Sequence, residues 1–356
     1  MRSLRVMGAA SALTLAVALS ACGESSGSDD PGDGAGGETS GSTGEAGGEA
    51  SDSAFPVTVE HAFGETTIEE EPERVASVAW ANHEVPLALG VVPVGMSEAT
   101  WGDDDGDGVL PWVEDALAEM DAETPVLFDE TDGIDFEAVA DTEPDVILAA
   151  YSGLTQEEYD TLSQIAPVVA YPELAWGTTW QQMIELNSQA LGMADEGDAL
   201  VEELEGYVSD TVAGYPELEG KSAMFSSHST DDLSQVGFYT TNDPRALFLE
   251  ELGMTTPELV AERSAESDTF YETVSAENAD LLADVDLLVT YGDDALLTQL
   301  QDDALVSEIP AVEDGAVVML ENDTPLAAAA NPSPLALEWG LTDFLDLVSA
   351  AAEKSQ

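Results

Sequence analysis

The sequence predicts an α/β protein with two Rossmann-like lobes, in which mainly parallel sheets are joined by one long helix. Strand-like and helix-like segments alternate along most of the 356 residues, a pattern typical of βα units with parallel strands. The segments fall into two sets, and the chain is long enough for each set to bury its own core. Between the sets, residues 195–215 have a helical pattern without a strand-like break and stop at Pro216.

The first set begins with a β-hairpin, because residues 57–68 alternate between apolar and polar side chains around Gly64. Gly90 closes the first helix, a position where glycine adopts the left-handed conformation that ends helices. The segments predicted after the hairpin are strand 74–80, helix 84–90, strand 92–96, helix 136–142, strand 145–151, helix 157–165, strand 168–171 and helix 180–192.

The second set repeats the alternation after Pro216. Strands are predicted at residues 223–227, 235–239, 286–291 and 316–320, with helices between them, and an amphipathic helix at 334–350 closes the chain. We therefore expect three folded parts, which are an amino-terminal lobe (55–193), a connecting helix (194–216) and a carboxy-terminal lobe (217–356).

The amino-terminal segment has the features of an export signal. Arg2 and Arg5 precede an apolar run over residues 7–19, which is too short to span a bilayer comfortably. The Leu-Ser-Ala-Cys sequence that ends at Cys22, the only cysteine of the chain, resembles the lipobox of bacterial lipoproteins. We predict a signal peptide over residues 1–21 and a lipid anchor on Cys22. An ordinary signal peptide with an incidental thiol is the alternative.

Residues 22–54 are predicted to be a disordered tether. From Gly23 to Ser53 the chain is rich in Gly, Ser, Glu, Asp, Ala and Thr and has no aromatic or branched aliphatic residue. Such a segment buries too little apolar surface to offset its ordering entropy. Phe55 and Val57 mark the start of foldable sequence.

The charge balance excludes several classes of partner. The chain has 74 acidic residues and only 7 basic ones, whereas nucleic-acid binding needs a basic surface. A basic face for anionic lipid is excluded for the same reason. We interpret the acidity as a solvated surface adapted to a salty or alkaline milieu. An anionic ligand finds very few positive partners on this chain.

Both sets contain a helix start with the same layout. Asp135 precedes a short helix with Glu137 in its first turn, and Ser275 precedes one with Glu277 in the same place. Asp and Ser are good amino-terminal caps, and a carboxylate in the first turn suits the helix dipole. Local sequence alone explains both glutamates as residues that stabilise the start of a helix.

Seven segments give the chain its resemblance to a known family, the substrate-binding lipoproteins of iron–siderophore and vitamin B12 ABC importers. The resemblance runs from about Phe55 to the carboxy terminus. Its segments are FGETTI (63–68), PERVAS (72–77), ALGVVPVG (88–95), FE followed by EPDVIL (136–148), LSQIAPV (162–168), LEELG (249–253) and SAE (275–277).

The resemblance implies a class III periplasmic-binding-protein fold with the ligand in a cleft between two lobes and little hinge bending. It implies a lipid-anchored monomer on the extracytoplasmic face of the cell membrane that delivers a ferric siderophore to an ABC permease and ATPase complex. It also implies that one exposed glutamate on each lobe, Glu137 and Glu277 here, docks onto permease arginines. Cobalamin and haem are alternative cargoes within the same transporter class.

Ligand-binding candidates follow from the rule that open α/β sheets bind ligands beyond the carboxyl ends of their strands. Aromatic walls with a cation suit a large, partly anionic ferric chelate. The candidates in such positions are Trp80, Trp101, Tyr151, Trp176 and Arg245. Each aromatic residue has a core position as its alternative. The alternative for Arg245 is a salt bridge with one of the many acids.

A stretch from Asp103 to Glu114 matches the Asp-x-Asp-x-Asp-Gly-x₅-Glu calcium loop, with Asp105 and Asp107 as the other ligands. However, no helix precedes it, Pro111 occupies the ninth position, and acidic chains produce such matches by chance. We favour a solvated acidic loop, assign no metal ligands and expect no cofactor. A calcium site that orders this loop beside Trp101 is the alternative.

Catalysis is not expected. The chain has 3 histidines and no Gly-x-Ser-x-Gly nucleophile motif. Ser226, Ser227, His228 and Asp231 are the right residue types for a triad but are too close in sequence to imply one. A lipid-anchored hydrolase is the competing hypothesis from another class.

Overall fold

In a computed structural model of the protein, the residues described are 55–229 and 232–355. The predicted signal peptide, the lipidation site Cys22 and the tether at 22–54 lie outside the described residues. Among the residues that the structure describes, none of the helices combines the length and the apolarity needed to cross a bilayer.

The amino-terminal lobe contains a hairpin and a five-stranded sheet. Its strands are β1 (Val57–His61), β2 (Gly64–Ile68), β3 (Val75–Ser77), β4 (Gly95–Ser97), β5 (Val126–Phe128), β6 (Val146–Ala149) and β7 (Val168–Ala170). β1 and β2 pair antiparallel, as predicted. The sheet has the order β5-β4-β3-β6-β7 and every pairing in it is parallel. β6 is buried along its whole length, as expected of a strand covered by helices on both faces.

The helices of this part of the chain are α1 (Glu84–Ala88), α2 (Pro111–Glu119), α3 (Phe136–Asp141), α4 (Gln156–Leu162), α5 (Trp180–Ala190) and α6 (Ala194–Val212). α6 follows α5 closely and leads towards the second sheet, where the sequence predicts the connecting helix. α2 is a helix that we did not predict. Pro111, which weakened the calcium motif, occupies the first turn of α2, where proline is favoured.

The carboxy-terminal lobe has a mixed sheet. Its strands are β8 (Ala223–Ser229), β9 (Asp232–Tyr239), β10 (Tyr271–Ser275), β11 (Leu287–Tyr291) and β12 (Val317–Leu320). In the order β10-β9-β8-β11-β12, β8, β11 and β12 are parallel, whereas β9 is antiparallel to both neighbours. The prediction of a helix between the first two strands was wrong. A parallel crossover needs a dozen or more residues, and only a short connection separates these strands.

The remaining helices are α7 (Pro244–Glu251), α8 (Glu258–Glu266), α9 (Asp294–Asp302), α10 (Pro310–Asp314), α11 (Pro325–Ala329) and α12 (Pro334–Ala352). Short 3₁₀ turns occur at Pro216–Leu218, Ala276–Leu282 and Val306–Glu308. The α/β class with two lobes is confirmed.

A buried carboxylate connects the lobes behind the cleft. Glu84 on α1 is fully buried and accepts a hydrogen bond from Trp112 Nε1 at 2.7 Å and one from the backbone amide of Leu335 at 2.9 Å. Leu335 lies in the first turn of α12, where free amides favour an anion. Burial raises the pKa of Glu84, whereas these hydrogen bonds act in the opposite direction. α12 thus contacts elements of both lobes.

Candidate ligand-binding cleft

A cavity of about 300 Å³ lies beyond the carboxyl ends of β3, β4, β5 and β6. This is the position at which open α/β sheets bind ligands. Trp80 and Trp176 contribute to its mainly apolar wall, and Glu130 contributes a carboxyl group. A second cavity of about 240 Å³ is lined by Trp80, Trp101, Arg245, Tyr291 and Asn331. Because Trp80 lines both, the two cavities are neighbouring parts of one cleft that reaches into the carboxy-terminal lobe.

The loop that carries Trp80 is held in an unusual conformation. Ala79 and Ala81, on either side of it, have φ angles of 60° and 61°, which lie in the left-handed region that non-glycine residues rarely adopt. Asn82 holds this loop, since its Nδ2 donates to Val78 O and to Tyr151 O, both at 2.9 Å. These bonds hold the strained backbone on either side of Trp80 in place.

Trp176 reaches the first cavity by packing on a glycine. A Cβ atom on Gly153 would lie 2.2 Å from Trp176 Nε1, which is far inside contact distance. Trp176 itself has a φ of 61°, and its ring meets that of Tyr151 edge-on at 5.4 Å. The absence of a side chain at position 153 therefore allows the indole to form part of the wall.

Tyr151 lies behind the wall and lines neither of these two cavities. Its side chain is buried, and its hydroxyl accepts a hydrogen bond from Asn331 Nδ2 at 3.1 Å. Burial raises the pKa of Tyr151, so its hydroxyl stays protonated. The structure thus brings Trp80, Trp101, Trp176 and Arg245 to the cleft and gives Tyr151 a supporting position.

Arg245 forms a salt bridge, which was the alternative to ligand binding in the sequence analysis, and it also lines the cleft. Its guanidinium contacts the buried carboxylate of Asp243 at 2.7 Å and lies 3.9 Å from the centroid of the Tyr239 ring. Its Nη1 is 3.5 Å from the Tyr291 hydroxyl. Bidentate pairing and stacking on a ring face orient a guanidinium firmly. The positive charge at the cleft is therefore already balanced by Asp243.

The titratable groups of the first cavity are Glu98, Glu130, Glu158 and His83. Burial raises the pKa of Glu130 to about 7, although the Ala79 amide donates a hydrogen bond to it and the Ser97 hydroxyl also acts to lower the pKa. Burial lowers the pKa of His83 to about 4, so its ring is neutral at pH 7. Sequence reasoning missed Glu130 because it missed β5. The apolar Val126–Phe128 followed by Asp-Glu is the signal that was available.

The two glutamates predicted to dock onto a permease are both exposed. The side chain of Asp135 accepts the Ala138 amide at 3.0 Å, and that of Ser275 accepts the Glu277 amide. The predicted caps are therefore present. Glu137 and Glu277 stand in the first turns that follow, one on each lobe. Docking onto a permease stays a prediction.

The acidic loop brings the side chains of Asp103, Asp105 and Asp107 together, with carboxylate oxygens within 4.8 Å of one another. Asp103 accepts hydrogen bonds from the amides of Gly106 and Gly108 at 2.9 and 2.7 Å. Backbone amides of the same loop thus supply hydrogen-bond partners for the Asp103 carboxylate. That this motif, from Asp103 to Glu114, holds no metal stays a prediction.

Comparisons with known proteins agree with this architecture. A solved structure of PiaA from Streptococcus pneumoniae TIGR4 in complex with ferrichrome is 44% identical, with a TM-score of 0.81, and covers 84% of this chain and 100% of that one. The probable siderophore-binding lipoprotein YfiY of Bacillus subtilis is 29% identical over 66% of this chain and 69% of its own length. The Fe(3+) dicitrate-binding periplasmic protein FecB of Escherichia coli is 23% identical over 76% and 84% of the two chains.

The family model described as periplasmic binding protein matches residues 75–324. This range contains the parallel sheet, the connecting helix and all five strands of the second sheet. The predictions of a class III binding-protein fold and of solute binding without catalysis are thereby confirmed. The chain belongs to the periplasmic binding protein family.

Proposed function

We propose that this protein is a lipid-anchored receptor that captures a ferric siderophore in its cleft and delivers it to an ABC importer. The observation that carries the proposal is the cleft itself. Trp80, Trp101 and Trp176 surround a space on the side of the sheets where this architecture binds ligands. Flat aromatic rings offer a bulky chelate a large contact area at low entropic cost. The relative in complex with ferrichrome supports iron chelates as the cargo.

Delivery depends on two further elements of the proposal. Glu137 and Glu277, exposed on different lobes, contact arginines of a permease that works with an ATPase. A lipid on Cys22 holds the receptor at the extracytoplasmic face of the membrane, and residues 22–54 act as the tether between the lipid and the folded lobes. Confinement near the membrane raises the effective concentration of the receptor at its permease.

A competition experiment tests the choice of cargo. The mature protein is incubated with ferrichrome, a ferric catecholate, cobalamin and haem together, separated by gel filtration, and its bound ligand is identified by mass spectrometry. We expect one ferric siderophore per protein molecule. Recovery of cobalamin or haem instead would replace the proposed cargo, and turnover of a generic ester that Ser227→Ala abolishes would support the hydrolase hypothesis.

A further inference from the structure

The charges around the cleft are unequally distributed. Three carboxylic acids line the first cavity, at Glu98, Glu130 and Glu158, and no basic side chain joins them there. In the second cavity the basic side chain is Arg245, whose charge is matched by Asp243 at 2.7 Å. Among the described residues, the lining of the two cavities is therefore acidic overall. A ligand meets no cationic side chain there that lacks a counter-charge.

The other basic residues of the described chain lie outside both cavities. Arg74 donates from Nε to the backbone oxygen of Glu143 at 2.8 Å, Lys221 donates to Ser355 Oγ at 2.8 Å, and Arg263 lies 3.8 Å from Glu272. Lys354 is exposed near the end of α12. The acidity of the cleft is thus not offset by a basic side chain from elsewhere in these residues.

The glutamates occupy positions with defined local structure. Glu130 Oε2 accepts the amide of Ala79 at 2.9 Å, beside Trp80. Glu158 Oε2 accepts the amide of Thr155 at 2.8 Å in a capping box at the start of α4. The charge of Glu158 also raises the pKa of Glu130, after the larger effect of burial. The two carboxyl groups are thus close enough to interact across the cavity wall.

The wall of the first cavity contains a fourth titratable side chain, that of His83. His83 is 7% exposed, lines the same cavity, and its Nδ1 has no hydrogen-bond partner among the described residues. Buried polar atoms normally find a partner, yet among the described residues His83 Nδ1 and Glu130 Oε1 are both buried without one. The ring is neutral at pH 7. It therefore adds no positive charge that would attract an anion.

We propose that Glu98, Glu130 and Glu158 form a subsite for a positively charged, hydrogen-bond-donating arm of the iron chelate, such as a protonated primary amine. An ammonium group has three donors and no acceptor, which complements the oxygen atoms of these carboxyl groups. Charge-assisted hydrogen bonds to carboxylates are the stronger kind. The proposal rests on the proposed function and adds the charge class of the cargo. The receptor prefers cationic ferric chelates to neutral ones and disfavours anionic ones.

A matched series of chelates tests this order. Three hydroxamate groups neutralise Fe³⁺, so a linear ferric trihydroxamate with a free amine is cationic. Its N-acetyl derivative is neutral and its N-succinyl derivative is anionic, while the iron centre is unchanged. Quenching of tryptophan fluorescence gives the affinity of the mature protein for each. We expect the amine form to bind about tenfold more tightly than the acetyl form, and the succinyl form to bind most weakly.

Two pocket variants and one surface variant assign the preference. Glu130→Gln and Glu98→Gln should each reduce the ratio between amine and acetyl affinities, whereas Glu203→Gln, on the exposed side of α6, should leave it unchanged. Thermal melting of each variant verifies that it is folded. Equal affinities for the three chelates, or equal ratios in all variants, would overturn the subsite and leave the proposed function standing. Failure of all three chelates to bind, together with failure of ferrichrome and the ferric catecholate in the competition experiment, would overturn both.

Discussion

Arg245 faces the cleft with its charge already matched, because Nε and Nη2 donate to the two carboxylate oxygens of Asp243 at 2.9 and 2.7 Å. The side chain of Asp243 is completely buried and that of Arg245 is 17% exposed. Tyr239 and Tyr291 close around the guanidinium. The pair therefore positions two aromatic rings and a planar donor group at the cleft, without making the cleft attractive to anions.

Removing the matching charge should change which ligands bind. In Asp243→Asn the Arg245 guanidinium loses its counter-charge, so we expect the affinity for an anionic ferric chelate to rise about tenfold. The same change should lower the free energy of unfolding by about 3 kcal/mol, because it breaks a buried ion pair. Fluorescence titration and urea unfolding measure the two effects. Asp302→Asn, at an exposed position on α9, is the control, and an unchanged affinity for the anionic chelate would contradict the explanation.

The position of Trp176 depends on Gly153. In Gly153→Ala the new methyl group would lie 2.2 Å from Trp176 Nε1, so the indole must move and the cavity wall must change. We expect the affinity for the ferric siderophore to fall about tenfold or more. Gly206→Ala on α6 is the matched control, because a Cβ there meets nothing within 4 Å; it should leave affinity unchanged and slightly stabilise the helix. Equal affinities in the two variants would show that Trp176 does not form part of the binding wall.

Docking and ligand binding should be separable. In the double variant Glu137→Ala and Glu277→Ala we expect siderophore-dependent iron uptake by cells to be lost, whereas the affinity of the purified protein stays the same. Both residues are exposed and neither lines the cleft. The control is Glu157→Ala with Glu258→Ala, since these are also exposed glutamates in first helical turns. Loss of affinity in the first pair, or equal loss of uptake in the control pair, counts against docking.

Glu130 should make stability depend on pH in a known direction. Burial raises its pKa in the folded state to about 7 from the ordinary value of 4.5. Between these values the folded protein binds more protons than the unfolded chain, so this group's contribution to stability is greatest below pH 4.5 and is lost as pH rises to 7. The loss amounts to about 3 kcal/mol.

Glu130→Gln removes this titration. The variant should therefore gain stability relative to the original protein between pH 5 and pH 8, as measured by urea unfolding at each pH. Glu203→Gln provides the comparison for a surface charge. A constant stability difference between the Glu130→Gln variant and the original protein across this range would mean that Glu130 ionises normally.

The parts of the fold that depend on local periodicity were predictable, and those that depend on chain geometry were not. The hairpin at 57–68 and the helix start at Trp180 follow from apolar spacing and from capping residues. The antiparallel β9 was not foreseen, because the strand pattern was interpreted without the short gap between strands 223–227 and 235–239, which is too short for a parallel crossover. α2 was missed because its first turn, starting at Pro111, falls inside the stretch that was interpreted as an acidic loop.

The site shows the same division. Trp80 and Trp101 were predictable from their places after strands, since strand ends define the ligand side of the sheet. Arg245 was foreseen both as a cleft residue and as a salt-bridge partner, and both descriptions hold, because Asp243 is close enough to pair without hiding the guanidinium. The tight approach of Trp176 to Gly153 is a tertiary contact between residues that no sequence pattern relates.

The central claim is that an iron chelate binds between the aromatic residues of the cleft. The most direct measurement is an isothermal calorimetric titration with ferrichrome of the mature protein and of its Trp80→Ala variant. Trp80 is chosen because it lines both cavities. We predict saturable binding of one chelate per protein molecule and an affinity reduced about tenfold or more in the variant. Binding of equal strength in the two proteins, or no binding of ferric chelates to either, would contradict it.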